Sequence, residues 1–270
     1  MPIETQRRIW RILDDARADH LWTMDHIIAH GEDMTRPILD SWTLMSAMAV
    51  ETRHARLGVL VTANLYRHPA LLAKMAVTID HLSGGRVIVS LGASSAEREF
   101  VALGMRFGTP GERIRRLDES CTVMELLWSE AKASFRGRYF TLTDAIAEPK
   151  PVQRPRPELW IGGYGAKGTL RVAAKHADVW NASGGRGFDT TLQASKLLDE
   201  HCRVVGRDPT TIRRSVQARW GVDPDADLRA TEAYVRAGFS EFVIDLSGDD
   251  PVRAAESLAR DGLRRFRELA

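Results

Sequence analysis

The residues best suited to chemistry in this 270-residue chain fall in short polar stretches that each follow an apolar run. His26 is the first. An imidazole gains and loses a proton near neutral pH, which suits general acid–base work. Asp25 beside it can fix the loop, and adjacent side chains at a strand end point to opposite faces. A structural, hydrogen-bonding histidine would look the same in sequence. The second stretch is Gly162-Gly163-Tyr164-Gly165-Ala166-Lys167. Glycines let a backbone approach a phosphate, a following helix offers N–H groups at its positive end, and Lys167 adds a point charge. A plain tight turn has the same composition, and the spacing is neither a Walker loop nor a full dinucleotide fingerprint. The third is Gly92-Ala93-Ser94-Ser95, small enough for a flat ring to pass close to backbone and equally suited to a turn. Arg113, Arg115 and Arg116 read as a solvated helix face. No cluster has metal-ligand spacing, and no Ser–His–Asp or Cys–His arrangement is present.

Composition narrows the classes. Apolar residues make up 44%, charged residues 27%, and the net charge is +2. No global field points to nucleic acid or an acidic membrane, so the partner expected is a small-molecule substrate. The tryptophans are spread along the chain and form no platform for stacking bases. Cys121 and Cys202 lie far apart and read as buried thiols of a reducing, cytoplasmic setting. The start, Met1-Pro2-Ile3-Glu4, lacks the basic and apolar regions of a signal peptide, and no apolar run reaches membrane-span length.

Positioning these stretches requires a regular scaffold, and the chain alternates short apolar runs with amphipathic ones. Helices are expected at 3–18, 41–52 (with Ser41 as N-cap), from Pro69 to Ser83-Gly84-Gly85, and at 112–128, 166–175, 190–205, 226–237 and 251–269. Strands are expected at 20–25, 56–62, 86–92, 158–162, 177–181, 211–220 and 241–246, with a small β excursion at 135–142 and an extended, proline-rich connector at 149–157. Near-continuous apolar strands between helices imply a parallel sheet covered by helices, which doubly wound and barrel folds both satisfy. Seven strands after a leading helix are what a (β/α)₈ barrel shows when its first strand is missing or too short to see. The expected organisation is one domain over 1–270, with an insertion at about 93–157.

Several strings, in this order, resemble one family. They are Leu21-Trp22 with Asp25-His26, LGVLVTANLYRHPALLAKMAVTIDHLSGGRV, GERIRRLDESCTVMELLW, and EPKPVQRPRPELWIGGYGAKGTLRVAAKHADVWN. Together they resemble the bacterial luciferase-like family, and within it the actinobacterial branch of coenzyme F420-dependent (deazaflavin) oxidoreductases. The resemblance runs over nearly the whole chain from about Ile9 on. It implies a (β/α)₈ TIM barrel with a flavin-type cofactor at the C-terminal ends of its strands. It places Asp25 and His26 beside the ring, with His26 as catalytic proton donor or ring positioner. It implies a non-prolyl cis peptide within Leu60-Val61-Thr62 that buttresses the ring. Gly92, Ala93 and Ser94 then line the fourth-strand terminus, and Gly162, Gly163, Tyr164, Gly165 and Lys167 hold the phosphate. FMN is the alternative cofactor, and a monooxygenase using it would take reduced flavin from a separate reductase. A non-catalytic binding relative is a third reading. Family members often pair through barrel helices, which implies a homodimer.

Three departures stand out. The family's first strand has no counterpart before residues 3–18, so a seam is expected between the strands at Leu21 and Glu241. It would be filled by the N-terminal segment, a neighbouring subunit or water. The usual glycine and tryptophan of the fourth-strand turn are Ser94 and Ser95. Some deazaflavin dehydrogenases carry a catalytic glutamate at the latter place, which disfavours a sugar-phosphate dehydrogenase. Ser90 stands where a glycine is usual. The loops after Thr62 and at 104–113 and 184–189 would shape the substrate pocket.

Overall fold

β-Branched and aromatic runs become strands here, and stretches with apolar residues every three or four positions become helices. The computed structural model describes residues 1–29, 33–183 and 185–269; Gly184, at the start of one expected pocket loop, lies outside the described residues. The chain begins α1 (Ile3–Asp15), β1 (His20–Thr23), α2 (Ser41–Glu51), β2 (Arg56–Val59), β3 (Thr62–Ala63), α3 (Pro69–Ser83) and β4 (Val87–Gly92). It continues α4 (Glu97–Ala102), α5 (Pro110–Ser129), β5 (Ala133–Arg136), β6 (Thr141–Ala145), β7 (Glu158–Gly162), α6 (Thr169–His176) and β8 (Val179–Ala182). It ends α7 (Phe188–Val204), β9 (Arg213–Trp220), α8 (Pro224–Arg236), β10 (Glu241–Leu246), α9 (Pro251–Ser257) and α10 (Leu263–Leu269), the last two joined by a π-helical turn, Leu258–Gly262.

The main sheet is parallel throughout, in the order β1-β2-β4-β7-β8-β9-β10, with β3 beside the end of β4. Among the described residues no ladder joins β1 to β10. The sheet is therefore a barrel closed except along one line, wrapped by helices. That line lies between the strands at Leu21 and Glu241, where the strand count put it. Residues ahead of Ile9 are helical from Ile3 on, so they do not supply a strand.

Burial along the strands alternates between two cores, as period-two geometry requires. Leu57, Val59, Val87, Val89, Leu91, Leu159, Ile161 and Trp180 face the helices, packed with Trp42, Met45, Leu72, Leu117 and Leu170. Ile88, Trp160, Val179 and Val243 form a separate cluster inside the barrel, with Trp22 and Leu60 against it. Each such fully buried aliphatic side chain contributes about 1.5–3 kcal/mol. Below that layer, on the N-terminal face, inward residues are charged. Arg56 binds Glu158, Glu158 binds Arg213, Arg213 binds Glu241, and Glu241 lies 3.8 Å from His20. This chain of side chains spans the seam at its lower end. Outside it, α1 is tied to α9 by Arg8 and Glu256, 2.7 Å apart.

The structure corrects three local expectations and adds one element. The cap of α2 is Asp40, whose carboxylate accepts from the Thr43 amide at 2.8 Å, while the Ser41 hydroxyl donates to Asp25 at 2.7 Å. The strand expected at 56–62 is interrupted after Val59, at the Leu60–Val61 peptide, which is cis as the family resemblance implies. The last helix is broken by the π turn, where Gly262 sits against Trp220 and Leu258 so closely that a β-carbon would fall 2.6–3.0 Å from them. A short helix, α4, falls in the insertion, in a stretch given no element by the sequence pattern.

Candidate functional site

Asp25 and His26 follow β1, and their side chains do diverge. Asp25 is buried and turns toward the neighbouring loops. It accepts from the Ser41 hydroxyl at 2.7 Å, the Ala63 amide at 2.9 Å and Arg67 Nη1 at 2.8 Å. Arg67 also donates to Asp40 at 2.6 Å, so one guanidinium clamps the turn after β1 to the start of α2. Asp25 thereby fixes the backbone just after the cis peptide through the Ala63 amide.

His26 turns the other way, toward Glu99 on α4, with Nδ1 3.2 Å from Oε2. Glu99 is 4% exposed, and its other oxygen accepts from the Ile27 and Ile28 amides at 2.7 and 2.6 Å. The Tyr66 hydroxyl donates to the same oxygen that faces His26. Burial opposes the Glu99 charge, but Tyr66, the two amides and His26 together outweigh it and hold the carboxyl below its ordinary range. Burial and the Glu99 carboxylate push the Tyr66 phenol up, so it stays a neutral donor. A cleft of about 350 Å³ opens beside Glu99, between Ile28, Ala29 and Met34 on one side and Ser95 and Ala96 on the other.

The upper barrel is built around Val61. A β-carbon on Gly92 would fall 2.6 Å from Val61 Cγ2, and one on Gly162 would fall 2.6 Å from Val61 Cγ1. Strand alternation puts Ser90, Gly92, Gly162, Asn181 and Ser215 on the same inner face as Ile88, Trp160 and Val179. The inner wall is thus apolar at mid-height and polar or bare above it. Asn181 Nδ2 donates to Ser215 Oγ at 2.8 Å. Among the described residues, Thr23 Oγ1, Asn64 Nδ2, Ser90 Oγ and Ser94 Oγ are buried without a hydrogen-bond partner. Each lies in or just after β1, β3 or β4, and Ser94 also has a left-handed φ of 62°. Buried polar atoms are rarely left unpaired, because each costs about 1–3 kcal/mol. Ser90 points into the barrel, where a ligand with polar edges fits, whereas Thr23, level with the outward Val59, faces the helices.

The glycine-rich turn after β7 curls around Thr169. A β-carbon on Gly163 would lie 3.1 Å from Thr169 Cγ2, and one on Gly165 would lie 2.9 Å from its hydroxyl. Gly163 also has φ 128°, open only to glycine at low cost. α6 begins at Thr169 without a side-chain cap. Lys167 is exposed at the head of that turn and has no ion pair among the described residues. Tyr164 is pinned away: its hydroxyl bonds Ser183 O and Thr191 Oγ1, each at 2.8 Å. The Arg186 guanidinium lies 5.8 Å from the Tyr164 ring. Cys121 and Cys202 are buried free thiols away from these residues, and no group of three metal-ligating side chains occurs among the described residues. No described helix is long and apolar enough to cross a membrane.

Comparison with known proteins agrees with this geometry. An uncharacterized protein of Mycobacterium tuberculosis is 32% identical over 236 residues, covering 84% of this chain and 78% of the relative. An F420-dependent glucose-6-phosphate dehydrogenase of Kineococcus radiotolerans is 30% identical over 212 residues, 77% of this chain and 59% of that one. An FMNH2-dependent dimethylsulfone monooxygenase of Pseudomonas putida is 29% identical over 155 residues, 55% of this chain and 42% of that one. The coenzyme F420-dependent tetrahydromethanopterin reductase of Methanopyrus kandleri has the same fold, with a TM-score of 0.82 at 16% identity over 98% of this chain and 96% of its own. The sequence profile of luciferase-like monooxygenases matches residues 1–267, nearly the whole barrel from α1 through α10, and with it the chain belongs to the luciferase-like monooxygenase family, whose members include F420-dependent and FMN-dependent oxidoreductases.

Proposed function

We propose that the protein is an oxidoreductase that binds coenzyme F420 at the C-terminal ends of the barrel strands and exchanges a hydride with a small organic substrate. The observation that carries this reading is the set of unpartnered buried polar atoms at the upper ends of β3 and β4, Asn64 Nδ2, Ser90 Oγ and Ser94 Oγ. A heterocycle with carbonyl and N–H groups along its edge supplies what they lack. Bound there, the deazaflavin would supply the hydride chemistry, and the chain supplies position and a proton. Gly92 and Gly162 leave room for Val61, whose methyl groups give the ring an apolar floor. Asp25 keeps the turns after β1 and β3 in fixed register through the Ala63 amide. The Gly163–Gly165 turn and Lys167 would hold a phosphate. His26 stands in the same turn as Asp25 and is the group that gives or takes the substrate proton. Fixed orientation and exclusion of water account for most of the acceleration asked of such a site.

Relatives of both kinds align, the F420-dependent one over 77% of this chain and the FMNH2-dependent one over 55%. Ser95, where some dehydrogenases carry glutamate, argues against a sugar phosphate as substrate. The test is fluorescence titration of the purified protein with F420 and with FMN. Quenching by F420 alone is expected. Binding of FMN alone moves the reading to a monooxygenase with a reductase partner. Binding of neither overturns it and leaves a non-catalytic relative.

A further inference from the structure

A carboxylate is an acceptor only, so whatever faces it must bring the hydrogen. Glu99 receives four groups at once. Its Oε1 takes the Ile27 and Ile28 amides at 2.7 and 2.6 Å, and its Oε2 takes the Tyr66 hydroxyl and faces His26 Nδ1 at 3.2 Å. The Tyr66 ring is stacked on Phe100, the residue after Glu99, with centroids 4.5 Å apart. The carboxylate is therefore held from both sides of the turn that carries His26. The two amides orient the turn, and Oε2 orients the imidazole. Because the Tyr66 phenol keeps its proton, it supports the Glu99 charge and does not compete as a second acceptor.

We propose that Glu99 is a positioning residue that holds His26 as the Nδ1–H tautomer, so that Nε2 is the atom through which His26 passes the substrate proton. This rests on the reading of His26 as the proton-handling group. Bound deazaflavin would supply the hydride to a substrate carbonyl carbon, and the carbonyl oxygen would then need a proton. The Nε2–H bond of the imidazolium then breaks to form the O–H bond. The neutral imidazole keeps its Nδ1 proton against Glu99 and regains the other from water. In the oxidising direction the same atom accepts the hydroxyl proton.

Glu99→Gln is the informative variant. Its amide oxygen can still accept from Ile27 and Ile28, while its NH2 group stands where Oε2 stood. That group donates to Nδ1 and forces the imidazole proton to Nε2. Two-bond 1H–15N spectra of the cofactor-free protein, recorded where the imidazole is neutral, are expected to report Nδ1–H for the native chain and Nε2–H for Glu99→Gln. Tyr66→Phe, which keeps the carboxylate, retains Nδ1–H. In the loaded enzyme Glu99→Gln lowers kcat about a hundredfold, the scale of one acid–base group, while cofactor affinity is retained. An Nε2–H tautomer in the native chain overturns the proposal, and so does a switched tautomer with unchanged kcat. Should the Gln variant not fold, the native and Tyr66→Phe spectra decide. If the native chain binds neither F420 nor FMN, the functional reading falls, and the tautomer result stands apart from it.

Discussion

Val61 occupies the space that a β-carbon on Gly92 would need, with Cγ2 2.6 Å from that position. Its other methyl group stands in the same relation to Gly162. A valine is stiff at χ1 and cannot swing clear. Gly92→Ala is therefore expected to destabilise the protein by about 1–3 kcal/mol through overpacking. Val61→Ala in the same chain should recover most of that. Urea melts of the two single variants and the double variant measure it, and additive losses would contradict the contact.

Arg67 is the counterion of a buried acid. The Asp25 side chain is 2% exposed, and Arg67 is 12% exposed between Asp25 and Asp40. Arg67→Ala leaves Asp25 with the Ser41 hydroxyl and the Ala63 amide and no charge partner. The expected loss is about 3–5 kcal/mol in denaturant melts. Arg67→Lys should restore only part of it, since an ammonium cannot place two parallel donors on two carboxylates.

The turn after β7 offers a ranked pair of variants. Gly163→Ala meets both a backbone at φ 128° and Thr169 at 3.1 Å. A cost of about 1–3 kcal/mol at such a position corresponds to roughly tenfold or more in affinity if the turn must hold its shape to bind. Lys167→Ala removes an exposed charge without moving backbone, so it should weaken cofactor binding less and flatten its dependence on salt. Titrations at low and high ionic strength separate the two, and unchanged affinity of Lys167→Ala at low salt removes the lysine from the site.

The outer helices carry a pH-dependent contact. His176 on α6 sits between Asp118 at 3.0 Å and Glu125 at 3.1 Å, both on α5. Burial disfavours its charge, but the two carboxylates outweigh that and raise its pKa above the ordinary histidine value. A raised pKa in the folded state means stability that is full below about pH 6.5 and lost as pH rises through the higher folded value. Asp118 is drawn down to about 2, chiefly by His176, against burial and with help from Lys175. Its contribution is present above about pH 4 and is lost as pH falls toward 2. A third of that carboxylate remains in water, so the contribution is on the order of 1 kcal/mol. His176→Gln should flatten the melting temperature against pH between 6 and 9, and a curve parallel to the native one would disprove the linkage.

The parts of the site that were legible in sequence are local ones. Asp25-His26 and the turn at Gly162 announce themselves because polar and glycine residues end an apolar run. Glu99 does not. It lies 73 residues from His26, on a six-residue helix too short to show a period, among other charged residues that resemble a solvated face. Tyr66 and Arg67 were in view just after a strand, but only the fold brings them to Glu99 and Asp25. Asp40 and Ser41 are both good caps, and composition cannot rank neighbours whose roles depend on where Asp25 sits. Alternation made a parallel sheet covered by helices legible, but it suits a doubly wound sheet as well as a barrel; the barrel and its seam became legible only through the family resemblance of the ordered strings. The interruption at Leu60–Val61 leaves no mark on hydropathy.

The seam has a dynamic consequence. β1 shares a ladder with β2 alone and β10 with β9 alone, whereas β4 and β7 are bonded on both flanks. Among the described residues, parting β1 from β10 breaks no backbone hydrogen bond between them; what crosses the seam is side-chain contact, His20 with Glu241, Arg8 with Glu256 and Arg267 with Asp19. The wall can therefore open there like a split ring, at a free energy below that of global unfolding. Amide protons of β1 and β10 are expected to exchange with deuterium well before those of β4 and β7. His20→Ala, which removes the contact with Glu241, should speed exchange at those two strands and leave the opposite wall as slow as before.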